Sequence, residues 1–331
     1  MLRWVLLFAL LLVSPAARAA CAGENLFDRL DAQTRIALRV RADAAPFARG
    51  LVWRATRGDQ VLTLVGTYHF DDPRHAALRR TVTPLLRDAA LLLVEAGPEE
   101  EAALIAEIAQ KPEAVFETGP TLPERMGEGD WKRLSAATAE RGIPGFLAAK
   151  MKPWYLAMTL SMSPCAMAET AKGVRGLDGQ VIALAQAQGL PIRALEPYDT
   201  VLGLFARIPD EDQINMILAA LATTGMADDY TRTLADAYFD EEPRLIWEFT
   251  KHETERHSGL SPEEAAAQME LTEDLLMTQR NIAWLAVIEE ALDSGPVVLA
   301  AGALHLPGRT GLLALLQERG FALERLPLAR P

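Results

Sequence analysis

Short uninterrupted apolar runs alternate along the chain with segments whose apolar positions recur at helical spacing. Val61 to Val65 is the first run, aliphatic and β-branched, of the kind a strand buried on both faces requires, and it stops at Gly66. A helical pattern follows through Leu78, Val82, Leu85 and Leu86, and then Leu91, Leu92, Leu93 and Val94 form a second strand ending on Glu95. This is a βαβ unit. The pattern returns near the C-terminus, where Pro296 to Ala301 is a strand, a helix runs through Leu312, Leu313, Leu315 and Leu316 to Gly320, and Phe321 to Leu326 closes. The order predicts an α/β fold with a central mixed or parallel sheet formed by two pseudo-repeated βαβ halves.

The intervening segments add helices and one more strand. Leu26 to Arg41 suits a short amphipathic helix, and Leu51–Arg54 with Gln60–Leu64 reads as a hairpin turning at Gly58. Leu104, Ile105 and Ile108 form the expected buried stripe of a helix over Glu99 to Ala109, and Trp131 to Arg141 reads as an exposed helix ended by Gly142. A helix over Gln180 to Gln188 leads to a strand, Ile192 to Leu195, that ends on Glu196. From about residue 200 to 293 the spacing is helical throughout, which predicts a large helical insertion, a lobe or lid over the crevice.

In open α/β sheets ligands bind beyond the carboxyl ends of the strands, so the ionisable residues there carry the chemistry. Both strands of the repeat continue into Gly-x-x-His, namely Gly66 to His69 and Gly302 to His305, and Glu95 stands at a third strand end. Two imidazoles and a carboxylate suit a catalytic divalent metal with an open water position. The same trio serves equally without metal, one imidazole acting as general base toward water. The residues leave that choice open. Arg280, on the helix before the last buried strand, is placed to hold a substrate carboxylate or a developing oxyanion.

Other motifs carry less. His252 and His257 are spaced five apart, about 140° around a helix, and miss the zinc-protease pattern. His75 reads as a surface helix residue. Gly259, Leu260 and Ser261 lack the second glycine of a nucleophile elbow, and neither a phosphate loop nor a dinucleotide fingerprint is present.

Arg3, the apolar run Trp4 to Val13 and the small residues Ala16 to Ala20 fit a signal peptide over residues 1–19, leaving 20–331 as a single domain that is periplasmic or secreted. Cleavage moves the formal net charge from −12 to −14, an acidity that disfavours nucleic acid and anionic lipid as partners. No other stretch suits a stable membrane span. Cys21 and Cys165, the only cysteines, are expected to form a disulfide in an oxidising compartment; lipidation of Cys21 is disfavoured by Arg18 three positions before it.

Gly66 to His69, Glu95, Lys152-Pro153-Trp154, Gly176-Leu177-Asp178, Leu195-Glu196, Arg280-Asn281 and Gly302 to His305 followed by Pro307-Gly308 together resemble the TraB/PrgY/GumN family. That family is similar to the TIKI metalloproteases, which cleave extracellular signalling peptides near their N-termini, and more distantly to erythromycin esterases and haem-binding ChaN proteins. The resemblance implies an exported metal-dependent hydrolase, a TIKI-like peptidase, acting on a peptide or small molecule. It implies His69, Glu95 and His305 as ligands of manganese, cobalt or zinc, with Arg280 and Asp178 completing the catalytic set. The esterase branch implies a histidine base without metal, and the ChaN branch a non-catalytic haem- or peptide-binding protein. Many members carry an aspartate two residues beyond the glutamate, where this chain has Gly97.

Overall fold

A computed structural model describes residues 23–329. The expected leader and the Cys21–Cys165 pairing lie outside the described residues. The strands β1 (Val52–Arg57), β2 (Gln60–Thr67), β3 (Leu91–Val94), β4 (Ile192–Ala194), β5 (Val297–Gly302) and β6 (Ala322–Arg325) form one sheet in the order β4-β3-β5-β2-β1-β6. β5 runs parallel to β2 and β3, and β3 parallel to β4, whereas β1 is antiparallel to both β2 and β6. The sheet is therefore mixed, with β1 alone reversed. Gly58, at φ +59°, makes the β1–β2 turn in the left-handed conformation that glycine adopts without strain.

Four helices sandwich this sheet: α1 (His75–Arg87), α2 (Leu177–Ala187), α3 (Gln279–Ala291) and α4 (Leu312–Glu318). Successive strand residues point to opposite faces, so Val65, Val94, Val298 and Ala300 meet Leu78, Val82 and Leu86 of α1 and Val181 of α2. Leu64, Leu93, Val297 and Leu299 meet Leu285 and Ile288 of α3 and Leu312 and Leu316 of α4 on the other side. Both faces being covered is the reason the strand sequences are apolar without alternation.

The two Gly-x-x-His strands lie side by side. β2 pairs with β5 so that Gly66 faces Ala301 and Thr67 faces Gly302. The first unit, β2-α1-β3, steps over β5, and the second, β5-α4-β6, steps over β2 and β1 in the opposite direction. Crossovers of one hand taken in opposite directions put α1 and α4 on opposite faces.

Between β4 and β5 the chain is built of helices, among them Asp210–Thr223, Ala227–Phe239, Pro243–His257 and Pro262–Glu273, followed by a π-helical turn, Asp274–Thr278, that runs into α3. Among the described residues no helix is long and apolar enough to cross a membrane.

Four local expectations change. Leu26 to Arg41 is two helices, Leu26–Arg29 and Ala32–Asp43, because Asp31 caps the second by accepting from the Thr34 amide, and Ile36 and Val40 face outward. The helix Pro98–Gln110 fully buries none of its stripe: Ile108 is half-buried against the cluster of Val115 and Trp154, and Ile105 is exposed. Conversely, the helix Glu128–Glu140 buries Leu134 and Ala137 against Leu156 and Leu160. His75 is not on the surface but fully enclosed, against the rings of Tyr68, Tyr238 and Phe239. Periodicity identifies which face of a helix is apolar; it does not say whether a second layer covers it.

Candidate functional site

The histidines meet because the strands that carry them are paired and because glycines let the two loops close on each other. A Cβ on Gly66 would stand 2.9 Å from Leu306 Cδ1 and 3.1 Å from Ala303 Cα, so the second loop packs directly over the first strand's end. A Cβ on Gly302 would lie 3.3 Å from Glu95 Oε1, 3.6 Å from His69 Nε2 and 3.7 Å from the His305 ring. Three of the residues singled out in the sequence thus converge on one α-carbon.

The first loop is held from behind. Tyr238 donates its hydroxyl to the Gly66 carbonyl at 2.8 Å and stacks on Tyr68. Gly176 lies against the His69 backbone so closely that a Cβ would come 2.3 Å from its carbonyl carbon, and the Leu177 amide donates to Tyr68 O at 2.9 Å. That contact places Asp178, in the first turn of α2, beside His69, with Oδ1 3.7 Å from Nδ1.

Arg280, in the first turn of α3, stands between two carboxylates. Its Nη2 lies 2.5 Å from Glu95 Oε2 and 2.7 Å from Glu196 Oε1, and its Nε lies 2.9 Å from Glu196 Oε2. Nη1 donates to the Leu276 carbonyl of the π-helical turn at 3.1 Å. All three nitrogens are engaged, so Arg280 acts here as a fixed positive charge rather than as a free clamp. The other Glu95 oxygen accepts the Gly302 amide at 2.6 Å. One turn along α3, Trp284 donates to Glu196 Oε2 at 2.9 Å, lies under the guanidinium and packs on the His305 ring, the centroids 4.4 Å apart.

The surroundings drive the ionisable groups apart. Burial raises the Glu95 pKa, but the positive charges of His305, Arg280 and His69 outweigh it and bring it down to about 2. Burial dominates at His305 and lowers it to about 4. Pairing with Asp178 dominates at His69 and raises it to about 9, although its side chain is 63% exposed and solvent screens part of that pull. The two imidazoles are thus pushed in opposite directions, His305 toward its neutral form and His69 toward its protonated one.

His69, Glu95, His305, Arg280 and Asp178 are therefore all brought to one place. Glu196, Trp284 and Asn281 join them without having been assigned a part. Glu196 had a signal of its own, a carboxylate ending a buried strand as Glu95 does; Asn281 adjoins Arg280, and Trp284 lies one turn further on.

His69, Glu95 and His305 do not fit a metal ion as they are arranged. Both Glu95 oxygens are taken, one by a guanidinium and one by a backbone amide. Among the described residues no group of three or more His, Cys, Asp or Glu side chains is disposed to hold an ion.

Two Gly-x-x-His loops on paired parallel strands, closed over an arginine-bridged glutamate, define the architecture as an α/β protein of the paired-histidine type. The TraB/PrgY/gumN family model matches residues 51–325, and the chain belongs to that family. It is 25% identical over 260 residues to the protein YbaP of Escherichia coli (strain K12), which covers 78% of this chain and 89% of YbaP. YbaP of Shigella flexneri matches to the same extent.

Proposed function

We propose that this protein is an exported hydrolase that cleaves an ester or amide bond in a peptide or small molecule, with His305 as general base and His69 as general acid. The observation that carries this reading is the convergence on Gly302 of two imidazoles whose environments favour opposite protonation states, the pattern by which acid and base are assigned in a catalytic pair. His305 Nε2 takes a proton from water as its oxygen attacks the carbonyl carbon. The His69 imidazolium faces the developing oxyanion and then gives its proton to the departing oxygen or nitrogen as the scissile bond breaks. Solvent returns the proton from His305 to His69, and the cycle closes. Asp178 stabilises the imidazolium, and Arg280, fixed between Glu95 and Glu196, supplies positive charge without changing partners. Manganese, cobalt or zinc enters no step.

The test is a hydrolysis screen over nitrophenyl esters, anilides and a peptide library, with His69→Ala and His305→Ala run beside the wild type. Each variant is expected to lose about 100-fold or more of the wild-type turnover. Turnover equal to that of the wild type in both variants would overturn the reading, and saturable haem or peptide binding without turnover would replace it with the ChaN-like binding role.

A further inference from the structure

Asn281 is almost completely buried, and its amide orientation is fixed by its neighbours. Nδ2 lies 2.9 Å from the Thr310 carbonyl and 3.3 Å from the His305 carbonyl, while Oδ1 lies 2.7 Å from His305 Nδ1. Carbonyl oxygens only accept, so the NH₂ group must face them; the flipped amide would set Oδ1 against two other oxygens. Oδ1 in turn only accepts, which requires a hydrogen on His305 Nδ1. In a neutral ring the lone pair then sits on Nε2. A second contact agrees: Arg280 Nη1, a donor in every state, lies 3.4 Å from Nε2.

In water a neutral histidine side chain favours the opposite tautomer, with its hydrogen on Nε2, so the protein has reversed the intrinsic preference at this position. The reversal matters because Nε2 is the nitrogen on the Glu95 side, 3.8 Å from Oε2, whereas Nδ1 is turned into the packing. Only a bare Nε2 can take a proton on that side.

We infer that Asn281 is a positioning residue that fixes His305 as the Nδ1–H tautomer and so keeps a lone pair on Nε2 facing the site. Its consequence for turnover rests on the hydrolase reading above; the tautomer itself does not. The arrangement mirrors the first half of the molecule, where Asp178, also in the first turn of a helix, faces Nδ1 of His69. The second half places a neutral amide where the first places a carboxylate, so the Nδ1 side of His69 meets a counter-charge and the Nδ1 side of His305 does not. Orientation by a group on the far ring nitrogen is the usual means of choosing which nitrogen reacts.

Long-range nitrogen–proton NMR of the full-length mature chain reads the tautomer directly, with the His305 signals assigned by their loss in His305→Gln. The wild type is expected to show Nδ1 protonated and Nε2 bare at neutral pH. Asn281→Ala is expected to shift His305 toward the Nε2–H form and to lower kcat about 100-fold with KM changed less than about 2-fold. A wild-type ring found as Nε2–H overturns the inference, and so does an Asn281→Ala ring that stays Nδ1–H; the wild-type spectrum decides even if the alanine variant fails to fold. Failure to find any turnover overturns the hydrolase reading and leaves the tautomer measurement standing on its own.

Discussion

Glu95 and Glu196 leave the ends of two adjacent parallel strands and share one guanidinium, Arg280 Nη2 standing 2.5 Å from the first and 2.7 Å from the second. Two carboxylates this close to each other and this little exposed repel unless a cation lies between them, and Arg280 is that cation.

Arg280→Ala is therefore expected to cost about 3–5 kcal/mol in urea unfolding, since it leaves two uncompensated buried charges. Arg280→Lys is expected to recover little of this, because a single ammonium cannot reproduce the planar fork that meets both carboxylates. An alanine variant as stable as the wild type would show that the bridge is not what holds these strand ends together.

The two histidines predict a bell-shaped dependence of kcat/KM on pH. Activity rises as His305 loses its proton above about pH 4 and falls as His69 loses its own toward pH 9, the screened exposure of His69 drawing that limb toward neutrality. Asp178→Asn is expected to move only the alkaline limb, downward. An acid limb that moved instead would reverse the assignment of acid and base.

His75 predicts an acid-sensitive fold. It is fully enclosed with neither ring nitrogen hydrogen-bonded, and burial lowers its pKa from 6.5 to about 4, against the opposing pull of Asp72 and Asp71. The unfolded chain therefore binds the proton first, and stability is lost as pH falls from about 6.5 toward 4, by up to about 3 kcal/mol from this residue. His305 contributes with the same sign and His69 with the opposite one, so the difference between wild type and His75→Phe is the quantity to measure. The variant is expected to gain relative stability at pH 4.5 over pH 8; parallel curves would show that His75 is not what titrates.

Divalent metals are expected to leave the melting temperature unchanged within about 1 °C, whether removed by chelation or added as manganese, cobalt or zinc, because a ligand that does not bind the folded state cannot stabilise it. A concentration-dependent rise that disappears in His69→Ala and Glu95→Gln would show that Glu95 exchanges Arg280 for an ion.

Gly176→Ala separates position from chemistry at His69. A methyl group there meets the His69 and Tyr68 backbones, and the substitution is expected to cost roughly 1–3 kcal/mol as well as activity. His69→Ala, at an exposed side chain, is expected to remove activity while leaving stability nearly unchanged. Equal stability losses would make His69 a structural residue.

The strands were legible because burial on both faces writes them as plain apolar runs, and His69, Glu95 and His305 were legible because each closes such a run. Strand order was not: nothing local to Val61–Val65 or Val297–Ala301 says that the two are neighbours, or that Ala322–Arg325 pairs with Val52–Arg57 across the rest of the sheet. Arg280 could be found in the sequence but not its occupation, since the carboxylates it bridges come from strands far from it in the chain. His75 was misplaced on the surface for a related reason. The rings of Tyr238 and Phe239 that enclose it arrive from a helix more than 150 residues away.

The pairing of β2 with β5 has a consequence in time. The ribosome makes His69 well before His305, and the strand that seats His305 begins only at Val297. Until that strand is made, β2 and β3 lack the neighbour that lies between them in the sheet, and the first imidazole has no second one beside it. Whatever chemistry the finished protein performs, its incomplete forms lack the means to begin it.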